Sequence, residues 1–144
     1  MQRYTMSKIV IALGGNALGN TPKEQYENAI ITAKEIVSII GLGNLVTITH
    51  GNGPQIGMIN SGFETASSQN KSIPIMPFPE CGAMSQGYIG YHLQNAIQNE
   101  LKRNGIQRDV ISIITQIEVN PDDHAFLNPT KPIGRFYNED EAIV

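Results

Sequence analysis

Two stretches of this chain share one pattern: a short apolar run, a glycine turn, and then a helix start. Ile9 to Leu13 lead into Gly14-Gly15-Asn16, and Leu45 to Thr49 lead into His50-Gly51-Asn52-Gly53-Pro54. A continuous apolar run bounded by glycines is the pattern of a strand buried on both faces of a parallel sheet. Parallel neighbours need a crossover between them, so a helix is expected in the intervening thirty residues. This repetition confines the chain to an α/β architecture: an open, mostly parallel sheet covered by helices.

The connecting segment carries the signals of that helix. Thr21-Pro22-Lys23-Glu24 reads as an N-cap, a proline at the first helical position and the glutamate of a capping box. Tyr26, Ala29, Ile30, Ala33, Val37 and Ile40 recur at helical spacing as a buried stripe, and Gly41 fits the residue that ends it. After the second turn, Pro54 starts another helix whose stripe is Ile56, Ile59, Phe63 and Ala66. "SIPIMPFPE" is expected to be a loop or irregular edge, because each proline removes a ladder donor. A third helix is expected from about Ala83 to Arg103, with Leu93, Ala96, Ile97 and Leu101 on one face and Gly105 as its stop. Val110 to Thr115 read as a third strand, extended by Ile117 to Val119, before a long polar loop. Asn138 to Glu141 then resemble a helix start followed by only three residues, the mark of an element begun and cut off.

Composition excludes several classes. A net charge of −3 over 144 residues provides no basic field for nucleic acid. No apolar run approaches the ~20 residues that span a bilayer, and "MQRYTMSK" lacks the apolar core of a signal peptide. Met6 is an alternative start. Cys81 is the single cysteine, so no disulfide framework exists, and a cytoplasmic location is expected. His50, His92 and His124 lack ligand spacing, and no metal site is expected from them. Asp122 and Asp123 read as solvated loop carboxylates, Cys81 as an inert loop thiol, and His50 as a structural strand-end residue. Gly82, Gly87 and Gly90, in and just before this third helix, require a closely packed neighbour to offset their cost, for which a second subunit is one candidate.

The chemistry lies in the turns. Ligands of open α/β sheets bind outside the carboxyl ends of strands. Glycines there let backbone N–H groups approach an anion, and a helix N-terminus adds partial positive charge. Two such turns on neighbouring strands would converge on one oxyanion, most simply a phosphate, with Asn16 and Asn52 adding amide donors. The same glycines also serve in plain tight βα turns. Neither turn is a P-loop or a G-x-G-x-x-G fingerprint, and Gly41-Leu42-Gly43 precedes a strand where that fingerprint would follow one. Transfer of a phosphoryl group needs cationic help. Lys131, in a loop stiffened by Pro129 and Pro132, is the candidate, the alternative being a solvated loop lysine.

"IVIALGGNAL", "THGNGPQIG", "AMSQGYIGYHLQNAI" and "TQIEVNPDDHAFLNPTKPIGRFY" together closely resemble the N-terminal half of the carbamate kinases, within the amino acid kinase superfamily. The resemblance covers nearly the whole chain from Met6. Other members of the superfamily usually carry a lysine two residues before the Gly-Gly; here that place is Ala12, as in carbamate kinases, which use a lysine of the "TKP" loop. Ala12 and "NPTKPIG" thus disfavour a kinase acting on an amino-acid carboxylate.

The resemblance implies a three-layer α/β/α fold and reversible phosphoryl transfer between ATP and carbamate, giving ADP and carbamoyl phosphate. In many bacteria this reaction runs toward ATP at the end of arginine breakdown. Gly14, Gly15, Asn16, Gly51, Asn52 and Gly53 would hold phosphate and carbamate, with Gly15 and Asn16 taking part in catalysis and Lys131 neutralising developing charge. It further implies a homodimer and use of ATP or ADP with Mg2+, whose contacts come mainly from a second half that also carries a Lys-Asp pair. By this reading residues 1–7 are a start or extension, 8–120 the acceptor-side domain, and 121–144 a loop with the cut-off start of a protruding subdomain. Part of the sheet's far side is expected to lie uncovered, and the 144 residues alone are expected not to catalyse. The alternative is a non-catalytic, dimerising, anion-binding remnant of a split or truncated kinase gene.

Overall fold

In a computed structural model, residues 6–14, 18–133 and 138–139 are described. The chain divides into two compact units. One comprises Met1–Asn52 with Gln86–Ile113, the other Gly53–Ser85 with Ile114–Val144.

The first unit is built on a βαβ crossover. Strand β1 (Lys8–Leu13) pairs in parallel with β2 (Leu45–His50), in a register that sets Lys8 opposite Leu45 and Leu13 opposite His50. Helix α1 (Pro22–Gly41) joins them. It begins as its sequence dictates: the Thr21 side chain accepts from the Glu24 N–H, and the Glu24 carboxylate accepts from the Thr21 N–H. Its buried residues are Gln25, Ala29, Ala33, Ile36 and Val37, whereas Tyr26 is half exposed and drops out of the expected stripe. The residue with positive φ after the helix is Gly43, at +91°; Gly41 is still helical, and the Gly43 N–H donates to the Ile40 carbonyl. The chain thus overruns its expected stop by two residues before it turns.

The longest helix, α3 (Phe78–Arg103), lies partly in each unit. It starts five residues earlier than the sequence pattern suggests. Pro79 falls in the first turn, where no intrahelical partner awaits its missing N–H, so the proline-rich stretch ends inside a helix. Cys81 and Gly82 are therefore helical and not in a loop. At the other end, Gly105 at φ +68° closes the helix as expected: its N–H donates to the Lys102 carbonyl, and the Ile106 N–H donates to the Leu101 carbonyl. This is the paired-bond stop that a left-handed glycine makes possible.

In the first unit the core comprises Leu18, Ala29, Ala33, Ile36 and Val37 together with Ile89, Leu93, Ala96, Ile97 and Leu101. Ile11, Leu13, Val46 and Ile48, on one face of the sheet, pack against it. The opposite face is open: Val10 is 70% exposed, and Ala12, Thr47 and Thr49 are exposed beside it. The expectation of an uncovered far side holds. That of strands buried on both faces does not, because the described helices cover only the Ile11–Ile48 side.

The expected third strand is absent among the described residues. Val110–Thr115 and Ile117–Val119 form no ladder. The Val110 N–H donates to the Gln98 Oε1 at 3.2 Å, taking up the first donor that a ladder would use. Val110 packs on the core, but Ile111, Ile113 and Ile117 are exposed. An apolar run becomes a strand only where an edge lies alongside to accept its N–H groups.

The second unit contains α2 (Gly53–Gln69), the 70–77 loop, the first turns of α3 and residues 114–133, which include one 3₁₀ turn at His124–Phe126. Ile56 is buried, and its Cδ1 lies 3.5 Å from where a Cβ on Gly82 would stand. Cys81 is fully buried, with Sγ 3.9 Å from the Met76 carbonyl and 4.0 Å from the Asn60 Oδ1, the environment of an inert thiol. Asp123 is more than a solvated carboxylate: its Oδ1 accepts from the Ala125 N–H and caps the 3₁₀ turn.

Candidate anion-binding turns

The register of the sheet decides where the two glycine turns lie. Leu13 and His50 are the last paired residues of β1 and β2, so both turns leave the same end of the sheet from adjacent strands. One more bond continues the ladder beyond them, the Gly51 N–H donating to the Leu13 carbonyl at 3.0 Å. Gly14 and Gly51 are therefore side by side. This bond also commits the Gly51 N–H to the sheet, so Gly51 shapes the turn without offering its own donor to a ligand. Nothing lies within 4 Å of a Cβ position on Gly14 or on Gly53, so the space beside each is open.

The other candidate residues are distributed by their elements. Gly15 and Asn16 lie outside the described residues. Asn52 is half-buried and engaged in contacts of its own. Gly53 is the first residue of α2 and belongs to the second unit, so the chain passes from the turn directly into a helix N-terminus. Lys131 is an exposed residue of an irregular segment in that second unit. His50 is half-buried on the core side of β2 with its Nδ1 3.1 Å from the Gly51 carbonyl, a structural strand-end position. Among the described residues, no three His, Cys, Asp or Glu side chains gather where they would hold a metal ion, so none is assigned to Mg2+.

The return limb of the first turn shows why the chain folds this way locally. Gly19 has φ +86°, and a Cβ there would stand 2.7 Å from the Glu24 Cβ, so only glycine fits. The Glu24 Oε2 accepts from the Asn20 N–H at 2.8 Å and from the Thr21 N–H at 3.2 Å. These backbone donors hold the Glu24 carboxyl below the usual carboxylate range. Beside it, Gln25 is only 3% exposed and donates through Nε2 to the Gly19 carbonyl at 3.3 Å. Hydropathy passes over this glutamine. The signal was its spacing, since 25, 29, 33 and 37 step by four along the buried stripe.

The small-residue face of α3 also finds its neighbours. A Cβ on Gly90 would stand 2.8 Å from the Ser112 Oγ and 2.9 Å from the Ser112 Cβ. The close neighbour that Gly90 requires is present within this chain, in the 110–113 segment. Gly87 has open space beside it. His92, edge-on to the rings of Tyr88 and Tyr91, is pushed below its ordinary value by burial.

With this geometry in place, the chain can be set beside known proteins. It is 56% identical to carbamate kinase 2 of Staphylococcus epidermidis over 137 residues, 95% of this chain and 44% of the relative. It is 57% identical to the carbamate kinase of Staphylococcus haemolyticus over the same span. Among solved structures, carbamate kinase from Giardia lamblia bound to AMP-PNP superposes with a TM-score of 0.87 at 42% identity, covering 98% of this chain and 45% of that one. No protein-family model matches the chain. The chain spans less than half the length of the curated relatives it matches. At that likeness its helices and parallel sheet are those of the amino acid kinase fold.

Proposed function

We propose, on the premise that this chain belongs to the carbamate kinase family, that it supplies the acceptor side of reversible phosphoryl transfer between ATP and carbamate. The observation carrying this reading is the Leu13–His50 register with its added Gly51-to-Leu13 bond, which sets two glycine turns together at one sheet end. Backbone N–H groups of glycine turns at the carboxyl ends of strands are suited to an oxyanion. Gly14, Gly15, Asn16, Asn52 and Gly53 hold the transferring phosphate and the carbamate, with Gly51 setting the shape of its turn. In the forward direction a carbamate oxygen attacks the γ-phosphorus, the bond to the β-bridging oxygen breaks, and ADP leaves with that electron pair. Carbamate enters as an anion, so no general base is needed. Lys131 neutralises charge building on the transferring group.

ATP or ADP, and the Mg2+ that travels with it, take their contacts from sequence outside the matched 44% of the relatives. The reaction serves arginine breakdown in the cytoplasm. The protein acts as a homodimer, joined across the α3 face that carries Met84, Gly87 and Tyr91, of which Tyr91 is 65% exposed and Gly87 has open space. The purified 144-residue chain is expected to bind inorganic phosphate and to make no ATP from ADP and carbamoyl phosphate. A turnover rate ordinary for a kinase would refute that division of labour. Failure to bind phosphate would remove the acceptor-side assignment itself.

A further inference from the structure

We infer that Gln98 is a latch on the apolar 110–115 run, holding its leading end against α3 and so guarding a β-prone segment from self-association. Gln98 is half-buried on α3, and its amide binds one short stretch of backbone twice. Its Nε2 donates to the Arg108 carbonyl at 3.1 Å, and its Oε1 accepts from the Val110 N–H at 3.2 Å. Donating to one carbonyl while accepting from the N–H two residues later is how a residue bonds a parallel neighbouring strand. The Gln98 amide thus stands in for a single residue of such a neighbour. Gly90, Gln94 and Gln98 step by four along α3, and all three meet this segment. The Gln94 Oε1 accepts from the Ser112 Oγ at 3.0 Å, and Gly90 leaves room for the Ser112 side chain. The entry to the segment is fixed independently, where the Arg108 Nη1 donates to the Asn44 carbonyl at 3.3 Å.

What the latch restrains is hazardous by composition. Val110-Ile111-Ser112-Ile113-Ile114-Thr115 is rich in β-branched residues and contains no charge, proline or glycine, the signature of a segment prone to cross-β stacking. Ile111 and Ile113 are 75% and 70% exposed, and among the described residues no strand pairs with the run. Protein edges of this kind are ordinarily blunted by a lysine or a proline, and this one carries neither. Val110 is where the run is folded down, its side chain on the core and its N–H on Gln98. A methionine at position 98 would keep the helix and the length of the side chain. What glutamine adds is the pair of bonds that holds Val110 in place.

The test compares the full 144-residue chain with Q98M, which loses both bonds, and with the double variant Q98M/I113K, which adds a charge to the exposed run. Amide exchange at Val110 and at Ala96 in mid-helix is measured on each, with the lag before thioflavin-positive fibrils at a fixed concentration below the melting transition. In Q98M, exchange at Val110 should quicken roughly tenfold, the worth of the lost bonds, while Ala96 keeps its wild-type rate. The fibril lag should shorten severalfold in Q98M. In Q98M/I113K the lag should return to the wild-type value while Val110 still exchanges fast. Unchanged exchange at Val110 in Q98M overturns the latch. Equal quickening at Ala96 assigns Gln98 to general stability and overturns it too. Fast Val110 exchange without a shorter lag, or a short lag that I113K leaves in place, refutes the guarding role.

Discussion

Replacing Gly90 by alanine sets two effects of comparable size against each other. Within a helix interior, alanine is favoured over glycine by about 1 kcal/mol. Gly90 lies inside α3, so helix propensity alone would make G90A stabilising. The new Cβ, however, would stand 2.8 Å from the Ser112 Oγ and 2.9 Å from its Cβ. Optimal separations are about 3.5–4.0 Å, so the 110–113 segment must retreat by nearly 1 Å. Overpacking of this kind costs about 1–3 kcal/mol. The retreat also strains the Ser112 hydroxyl bond to the Gln94 Oε1, worth about 1 kcal/mol. The net expectation is destabilisation by about 1–3 kcal/mol, a fall in Tm of several degrees for a chain of this size. Urea and thermal unfolding of a double-mutant cycle with S112G isolate the cause, because removing the Ser112 side chain removes both close contacts. In the S112G background, G90A should turn stabilising by about 1 kcal/mol. S112A, which keeps the 2.9 Å contact, should restore only part of the loss. The reasoning is refuted if G90A raises Tm in the wild-type background, or if its effect is the same in both.

Gly19→Ala is expected to destabilise by roughly 2–4 kcal/mol in chemical denaturation, since it adds left-handed strain to a 2.7 Å contact with the Glu24 Cβ. Tyr88→Phe should be neutral or stabilising by up to ~1 kcal/mol, because the Tyr88 hydroxyl is buried with no partner; a loss above that would reveal an acceptor for it. Acid should destabilise the chain in two steps, followed by pH-dependent Tm. Burial lowers the folded pKa of His92, so the unfolded state takes up its proton first, and stability falls as pH drops below about 6.5. The Glu24 carboxyl, lowered by the Asn20 and Thr21 N–H groups, contributes stability above 4.5 that is lost as pH falls through its folded value. H92Q should flatten the first step and E24Q the second.

Local chemistry made much of this protein readable before any tertiary structure. The capping box at Thr21–Glu24, the glycine stop at Gly105 and the apolar runs of β1 and β2 depend on residues within a few positions of one another, and each formed where its pattern placed it. The glycine turns were legible for the same reason, as was their place at the ends of strands. Long-range partnership was not. Val110–Thr115 has the composition of a strand, yet its first donor went to the Gln98 side chain and no edge paired with the rest. Gly90 announced a close neighbour but not that Ser112 would be it, and hydropathy passed over Gln25, which is buried with its Nε2 on the Gly19 carbonyl. Sequence by itself determined the helix caps, the glycine stop and the resemblance to the carbamate kinases, because those follow from spacing along the chain. Only the tertiary structure decided that Leu13 faces His50, and hence that the two turns leave the sheet together, because strand register is a relation between residues far apart in sequence.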